Sequence, residues 1–292
     1  MSLRNVLFSL VSLLVVICAP DRAPAVEDRR VLLWKLSTAE EIGELQRDGI
    51  QELIAAGIAQ RGFEEVIRQV ADMGYSGVEP AGFPGTTPAE AKKLFDSLGL
   101  AVTSAHLPLP LGDQKAQTID AAGELGIQRI VGAGTARDGF ADADALARLI
   151  DTWNEAGETA AAKGLHLGLH NHYWEFTEVD GRPGFEHLME RLDKGIFFEV
   201  DTYWVQTGGG DVNAIVRKLG KRAPLLHIKD GPGSPEADMV AVGEGAMDFP
   251  AVIAAAGNAP EWLIVELDRC GTDMMEAVEK SCRYLVDNGL GR

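Results

Sequence analysis

The 292-residue chain has few cysteines and few basic residues, and both shortages exclude classes of protein. Three cysteines are too few for a disulfide scaffold, and their spacing forms no zinc knuckle. The 27 Lys and Arg residues stand against 44 Asp and Glu, which gives a net charge of −17 and a pI of about 4.7. Because such an acidic surface repels nucleic acid and anionic membranes, we expect no nucleic-acid partner.

The sequence also lacks an internal repeat, a low-complexity tract or a linker that would indicate a second domain. It lacks the glycine-rich phosphate turn that usually follows the first strand of a doubly wound sheet. A hydrophobic content of 46% is ample for a sizeable core, and α/β barrels of this length are routinely one domain. These features favour one closed barrel over an open sheet.

The first residues of the chain resemble a secretory signal peptide. Arg4 gives a positive start, residues 6–19 form an apolar run, and residues 23–25 form a small-x-small cleavage site. The run is too short and too poorly flanked to favour a stable transmembrane span, with an uncleaved anchor as the alternative. We predict a signal peptide over 1–25, a mature barrel domain over 26–292, and an exported protein that is periplasmic or secreted.

Export also bears on the cysteines. A lipid anchor on Cys18 is disfavoured because the bulky Ile17 precedes it, where a small residue is expected. Cleavage leaves Cys270 and Cys282, which an oxidising compartment would allow to pair. Whether their Cα atoms lie close enough for a disulfide stays open at the level of sequence.

Strand-like and helix-like segments alternate through the rest of the chain. Apolar residues at i, i+3, i+4 and i+7 predict a helix over 63–73. The least secure assignment is that of residues 31–62, where the first strand is followed by a helical pattern. Eight such units fit a single (β/α)8 TIM barrel of the α/β class. The strand candidates are 31–36, 75–80, 100–106, 128–134, 165–176, 195–201, 224–230 and 262–268; the other helices cover roughly 88–98, 114–125, 141–163, 211–219, 248–257 and 273–287.

The last three strand candidates end in residues that can bind a divalent metal, namely Asp201, His227 and Glu266. In a barrel, the carboxyl ends of the strands converge on one mouth, whatever the separation along the chain. Two carboxylates and an imidazole suit Mn, Co, Mg or Zn. For each carboxylate alone, and for Asp201 in particular, capping of the next helix is the alternative.

The fifth strand candidate carries His170 and His172, followed by Glu175. Histidines at i and i+2 point the same way on a strand. One of them could bind metal and the other a sugar hydroxyl, or both could face the substrate while Glu175 supplies the fourth ligand. The alternative is a pair of hydrogen-bonded core histidines.

Further candidates lie near the same mouth. Glu79 and His106 end the second and third strands, and we expect both to contact substrate. Lys229 could hold an enolate or carbonyl oxygen, with a solvent-facing ammonium as the alternative. Trp204 offers a ring to the C–H face of a sugar, or packs in the core. We expect Glu244 to lie on a loop near the site, and His166 and His187 to face away.

Seven segments, in order, resemble the xylose isomerase-like TIM barrel superfamily, the sugar phosphate isomerase/epimerase group. They are GYSGVE, SAH, GLHNHYWEF, EVDTYWV, LLHIKDG, VGEGAMDFP and VELDRC, and they cover about 63–287. The resemblance implies one divalent ion (Mn, Co, Mg or Zn) held by a Glu, Asp, His, Glu set from strands five to eight. Its last three members match Asp201, His227 and Glu266. The better-known epimerases carry a glutamate where this chain has His170, so the first ligand is assigned to Glu175, with His170 as the competing assignment.

The resemblance implies a metal-dependent sugar isomerase/epimerase, which abstracts a proton next to a carbonyl and works through an enediolate. Glu175 and Glu266 would be ligands and proton-transfer groups, and His170, His172 and Lys229 would orient hydroxyls or act as acid and base. The close alternative is an exported lyase or hydratase that cleaves 3-keto-glycosides by β-elimination. Export favours a free sugar or keto-sugar over a sugar phosphate.

Two other functions are disfavoured. A non-catalytic sugar-binding barrel would be expected to lose the metal residues, and this chain retains them. An endonuclease IV-like DNA repair enzyme needs a larger histidine-rich zinc site and a basic surface, whereas this chain has six histidines and a net charge of −17. The sugar, the metal and any homo-oligomer stay open.

Overall fold

The computed structural model describes residues 30–34 and 62–291 of the chain. Two short strands, Glu178–Val179 and Arg182–Pro183, form an antiparallel hairpin, and all other described strands pair in parallel in a single sheet. The strands are β1 Arg30–Trp34, β2 Gly77–Glu79, β3 Ala101–Val102, β4 Ser104–His106, β5 Arg129–Gly132, β6 His166–His170, β7 Glu178–Val179, β8 Arg182–Pro183, β9 Phe197–Asp201, β10 Leu225–Ile228 and β11 Trp262–Val265.

The sheet closes on itself through the segment that holds β3 and β4. The sheet order is β3-β2-β1-β11-β10-β9-β6-β5-β4, so the two ends of the sheet are consecutive pieces of one strand, interrupted at Thr103. β3 pairs with β2, and β4 pairs with β5. The nine parallel strands therefore fill eight barrel positions, which confirms the predicted (β/α)8 barrel and all eight strand candidates.

Helices follow the strands around the outside of the barrel. The ends of the seven helices that the sequence predicts agree with the prediction to within two residues, whereas the sequence predicts no bounds for the helices over Gly184–Arg191 and Thr202–Thr207. Gly126 ends α3 in the left-handed conformation with a φ of 67°, as a glycine before a strand suggests. The described helices are α1 Phe63–Asp72, α2 Pro88–Ser97, α3 Gln114–Leu125, α4 Ala143–Ala161, α5 Gly184–Arg191, α6 Thr202–Thr207, α7 Val212–Leu219, α8 Phe249–Ala256 and α9 Met274–Asp287.

The barrel interior has an apolar layer toward the amino ends of the strands. Val131, Phe197, Leu225 and Ile264 pack together there, and alternate residues on the same strands face the helices. Gly168 lies directly opposite Phe197 in the β6–β9 pair. A Cβ at Gly168 would lie 2.2 Å from the Phe197 ring, so this glycine makes room for the ring. The chemistry-bearing side chains lie above this layer.

Some sequence predictions fall on residues that the structure leaves undescribed. The signal peptide over 1–25 and the helical pattern over 37–62, apart from its last residue, lie outside the described residues, whereas the first strand is present as β1. Among the described helices, none is long and apolar enough to cross a membrane. In the described part of the chain, Cys270 and Cys282 are buried thiols rather than a disulfide.

Candidate metal centre and active site

The register of three neighbouring strands brings the predicted ligands together. Asp201 and His227 are direct partners in the β9–β10 pair. Glu266 follows β11 immediately, and its backbone N–H donates to the Ile228 carbonyl at 3.3 Å. His170 is the direct partner of Glu199 in the β6–β9 pair. The carboxyl ends of four barrel strands therefore present charged side chains to one interior region.

Four of these residues form what we call the upper group: His170, Asp201, His227 and Glu266. Each offers one ligand atom, and these atoms lie within 4.8 Å of one another. His227 Nδ1 lies 2.8 Å from Glu266 Oε2, and His170 Nε2 lies 3.7 Å from Asp201 Oδ2. All four side chains are buried. Burial, reinforced by neighbouring His227, lowers the pKa of His170 well below its usual value, so the ring is the neutral form that binds metal.

Below the upper group lies a second set of side chains around Glu199. Glu199 Oε2 lies 2.6 Å from His106 Nε2, and Glu79 Oε1 lies 3.4 Å from the same nitrogen. Burial, followed by the adjacent Glu79 carboxylate, raises the pKa of Glu199 well above its usual value. The sequence analysis missed Glu199. A charged residue two positions before Asp201, inside the buried run FFEVD, is the signal that would have found it.

Asp201 serves the fold and the upper group with different oxygens. Its Oδ1 accepts the Trp204 backbone N–H at 2.9 Å and caps the start of α6. Its Oδ2 is buried and forms an ion pair with Lys229 Nζ at 3.0 Å. Burial raises the pKa of Asp201 to about 6, although Lys229 and the capped N–H oppose the shift. The capping and ligand interpretations are therefore compatible.

Lys229 is buried among carboxylates rather than exposed to solvent. Its Nζ lies 2.6 Å from Glu266 Oε2, 2.7 Å from Asp268 Oδ2 and 3.0 Å from Asp201 Oδ2. Burial lowers the pKa of Lys229, but the three carboxylates raise it further, so the pKa lies above its usual value. The side chain is therefore held as an ammonium that donates to these carboxylates.

The structure places the Glu175 carboxylate outside both groups. Its Oε1 accepts from Thr135 Oγ1 at 2.8 Å and from the Thr135 N–H at 3.3 Å. Its Oε2 accepts the His172 backbone N–H at 2.9 Å. Burial raises the pKa of Glu175 to about 7 against these hydrogen bonds. The fourth place in the upper group is taken by His170, the competing assignment, because Glu175 instead ties the loop after β5 to the loop after β6.

His172 and the aromatic residues lie at the mouth of the barrel. The His172 ring stacks on Trp174 with centroids 4.0 Å apart. A Cβ at Gly134 would lie 2.5 Å from His172 Nδ1, so glycine is needed beside this ring. Trp204 is buried with its ring 5.3 Å from Lys229 Nζ. Both residues are close enough to the upper group to support their predicted contacts with substrate, which remain predictions.

Three other predicted positions can be placed. Glu244 is exposed and pairs with Lys280 at 3.6 Å, so it lies away from the charged interior. His166 is exposed, and the His187 ring contacts the Val179 carbonyl at 3.0 Å, as expected for residues that face away. The VGEGAMDFP loop is instead held by Asp230, whose carboxylate accepts four backbone N–H groups, from Gly231, Gly243, Gly245 and Met247.

A cleft of about 680 Å³ opens beside His106. It lies between the loop after β2, which contributes Phe83, and the face of α3 that carries Gln117. His106 is buried and contacts Glu199, so the cleft reaches the side of the charged interior.

The upper group suits a divalent cation on its own chemistry. Two carboxylates and two imidazoles form a mixed oxygen and nitrogen donor set of the kind that divalent transition metals bind. The buried Asp201 Oδ2 lies 3.7 Å from His170 Nε2, so a carboxylate oxygen and an imidazole nitrogen face each other where an ion would bind. The residues present therefore fit the expected ion.

The family follows from a comparison with known proteins. The family described as xylose isomerase-like TIM barrel matches residues 67–287 of this chain. The chain belongs to this family. The resemblance carried by the seven sequence segments is thereby confirmed, together with the barrel fold.

The known proteins to which this chain is similar include a dehydratase and an isomerase/epimerase. Inosose dehydratase from Klebsiella pneumoniae is 23% identical, over 71% of this chain and 83% of that protein. A sugar phosphate isomerase/epimerase from Parabacteroides distasonis superposes with a TM-score of 0.65 at 23% identity, over 92% of this chain and 97% of the other. A probable 3-DHS dehydratase from Bacillus anthracis gives 0.59 at 14% identity, over 76% and 93%. At these identities the structural matches show the fold.

Proposed function

We propose that the protein is a divalent-metal-dependent enzyme that abstracts a proton next to the carbonyl of a keto-sugar or keto-polyol. The observation that carries this proposal is the upper group, in which two imidazoles and two carboxylates are buried at the carboxyl ends of β6, β9, β10 and β11. The similarity to a dehydratase and an isomerase/epimerase supports the same reaction class. Both names describe reactions that can begin with the loss of such a proton.

A divalent ion in the upper group would polarise the substrate carbonyl and acidify the adjacent C–H. Glu266 is the proposed base, since a carboxylate is the usual acceptor for such a proton. Lys229 Nζ, 2.6 Å from Glu266 Oε2, keeps positive charge beside the region where negative charge develops on oxygen. The Trp204 ring lies 5.3 Å from Lys229 Nζ, and these two side chains would orient the substrate.

The residue at the end of β6 favours elimination over epimerisation. Epimerisation returns a proton to the opposite face of the carbon. A second carboxyl group, opposite Glu266, would donate that proton. This chain has His170 at that strand end, and the Glu175 carboxylate is held by Thr135 and His172. Elimination needs one base and one acid: Glu266 takes the α proton, the electron pair forms the C=C bond, and the β oxygen leaves after protonation by His172.

Isomerisation or epimerisation remains the second candidate, supported by the isomerase/epimerase from Parabacteroides distasonis. The choice of a free keto-sugar over a phosphorylated one rests on the predicted export signal, which lies outside the described residues and stays a proposal. A 3-keto-glycoside and an inosose are therefore the substrates to test first.

The test is proton NMR in D2O with the metal-loaded protein and each of these substrates. Elimination gives new olefinic signals, whereas epimerisation gives deuterium at the α carbon and a stereoisomer. Glu266→Gln should lower either rate by roughly 100- to 10,000-fold with an unchanged circular dichroism spectrum. No exchange and no product from the metal-loaded wild type with either substrate, or a fully active Glu266→Gln variant, would overturn the proposal.

A further inference from the structure

Glu199 lies at the meeting point of three imidazole rings. Its Oε2 lies 2.6 Å from His106 Nε2, 3.0 Å from His227 Nε2 and 3.2 Å from His170 Nδ1. The Glu199 side chain is completely buried, and it points to the same face of β9 as Asp201. One carboxylate oxygen therefore contacts both histidines of the upper group from below.

The opposite nitrogens of those two histidines face the carboxylates of the upper group. His170 turns Nε2 toward Asp201 Oδ2 at 3.7 Å, and His227 turns Nδ1 toward Glu266 Oε2 at 2.8 Å. Each ring thus spans from Glu199 on one side to an upper carboxylate on the other. The two nitrogens of each ring have different partners and need different protonation.

A neutral imidazole carries one N–H group and one lone pair. When Glu199 is ionised, a form that a divalent cation in the upper group would favour, its carboxylate accepts hydrogen bonds and draws the N–H to His170 Nδ1 and His227 Nε2. The lone pairs then lie on His170 Nε2 and His227 Nδ1, opposite further acceptors. A divalent cation between these lone pairs and the upper carboxylates would satisfy both sides.

The same assignment of one N–H and one lone pair to each ring argues against a second cation beside Glu199. The lower set and the upper group share His170 and His227. If both were filled at once, each ring would need a lone pair on both nitrogens and would have to lose its last proton. Asp201 lies nearer than Glu199 to the carboxyl end of β9, so the upper group is the one at the mouth.

We propose that Glu199 is a positioning residue that fixes the tautomers of His170 and His227, so that the upper group binds one divalent cation. Glu79 supports it, since Glu79 Oε1 lies 3.2 Å from the same His227 nitrogen. This inference rests on the metal-dependent function proposed above. Carboxylates that accept the second N–H of a metal-bound histidine typically contribute 10- to 100-fold to metal affinity.

The test is titration of the chelator-treated full chain with Co²⁺, measuring affinity by competition with a chelating dye, stoichiometry by elemental analysis and coordination by visible absorption. Glu199→Leu, which removes the acceptor, should bind roughly 10- to 100-fold more weakly, with one ion at saturation and an altered spectrum. Glu199→Gln keeps one acceptor oxygen and should lose less. Glu155→Gln, an exposed change on α4, is the matched control and should bind like the wild type.

Circular dichroism shows which variants fold, and Glu199→Gln keeps the test valid if Glu199→Leu does not fold. Unchanged Co²⁺ affinity and spectrum in a folded Glu199 variant would overturn the positioning role alone. Two ions in the wild type and one in the variant would make Glu199 a ligand of a second site, which also overturns it. A wild type that binds no ion would instead refute the proposed function, and the inference with it.

Discussion

Glu175 is a buried carboxyl group whose burial raises its pKa from 4.5 to about 7, although Thr135 and the His172 N–H oppose the shift. Between these two pH values the folded chain keeps the Glu175 proton and the unfolded chain has lost it. The stability that this group contributes is therefore complete below about pH 4.5 and falls as the pH rises to about 7.

Glu175→Gln removes this titration. The wild type should lose roughly 3 kcal/mol of stability through this group between pH 4 and pH 8, and the variant should not. We therefore expect the free energy of unfolding of the variant, minus that of the wild type, to increase by roughly 3 kcal/mol over this range. Urea denaturation at several pH values, with a chelator present, measures this difference. Glu178→Gln, an exposed change nearby, is the control. Parallel pH profiles of Glu175→Gln and the wild type would contradict the prediction.

The sequence predicts the upper group at three of its four positions. Asp201, His227 and Glu266 each end a buried strand, and the convergence of strand ends needs no further information. The position of Glu175 could not be predicted, because it depends on a short turn over Trp174–Phe176 and on a contact with Thr135, 40 residues away. To predict Glu199, the alternation of side chains along a strand has to be applied to positions inside β9 as well as to its last residue.

Gly168 on β6 shows how closely the barrel strands are packed beneath the site. A Cβ there would lie 2.2 Å from the Phe197 ring on the neighbouring β9. We expect Gly168→Ala to lower the free energy of unfolding by roughly 1–3 kcal/mol, because the ring cannot move away without displacing the apolar layer. Thermal or urea unfolding measures the loss.

A second substitution separates packing from backbone effects. Phe197→Leu in the Gly168→Ala background should restore part of the loss, since the smaller side chain leaves room for the added methyl. Gly123→Ala on α3, where nothing lies within 4 Å of the added Cβ, should be neutral or stabilising by up to about 1 kcal/mol. Gly168→Ala with unchanged stability would contradict the packing argument.

At the scale of elements, the sequence predicts the strands better than the short connections. Buried β-branched runs and amphipathic helices have strong periodicity, so all eight strand candidates are present. The six-residue helix α6 and the hairpin of β7 and β8 were not predicted, because two to six residues are too few to show a period. The break at Thr103 likewise has no sequence signal that we identify.

The whole molecule should be stabilised by the ion that its interior fits. A ligand that binds only the folded state adds about 2.7 kcal/mol at 100 times its Kd. We therefore expect the midpoint of thermal unfolding to rise as Mn²⁺ or Co²⁺ is added to chelator-treated protein. Asp201→Asn, which retains a side-chain cap for α6, should show a much smaller rise. Equal rises in both proteins would place the ion elsewhere.

The most direct test of the account is the metal content of the purified wild-type chain beside Asp201→Asn. We predict about one divalent ion per chain in the wild type and a large loss in the variant, because ligand removal weakens a site whose binding depends on deprotonated donors. A wild type that holds no ion, even after reconstitution, or a variant that holds as much as the wild type, would contradict the assignment of the upper group as the metal centre.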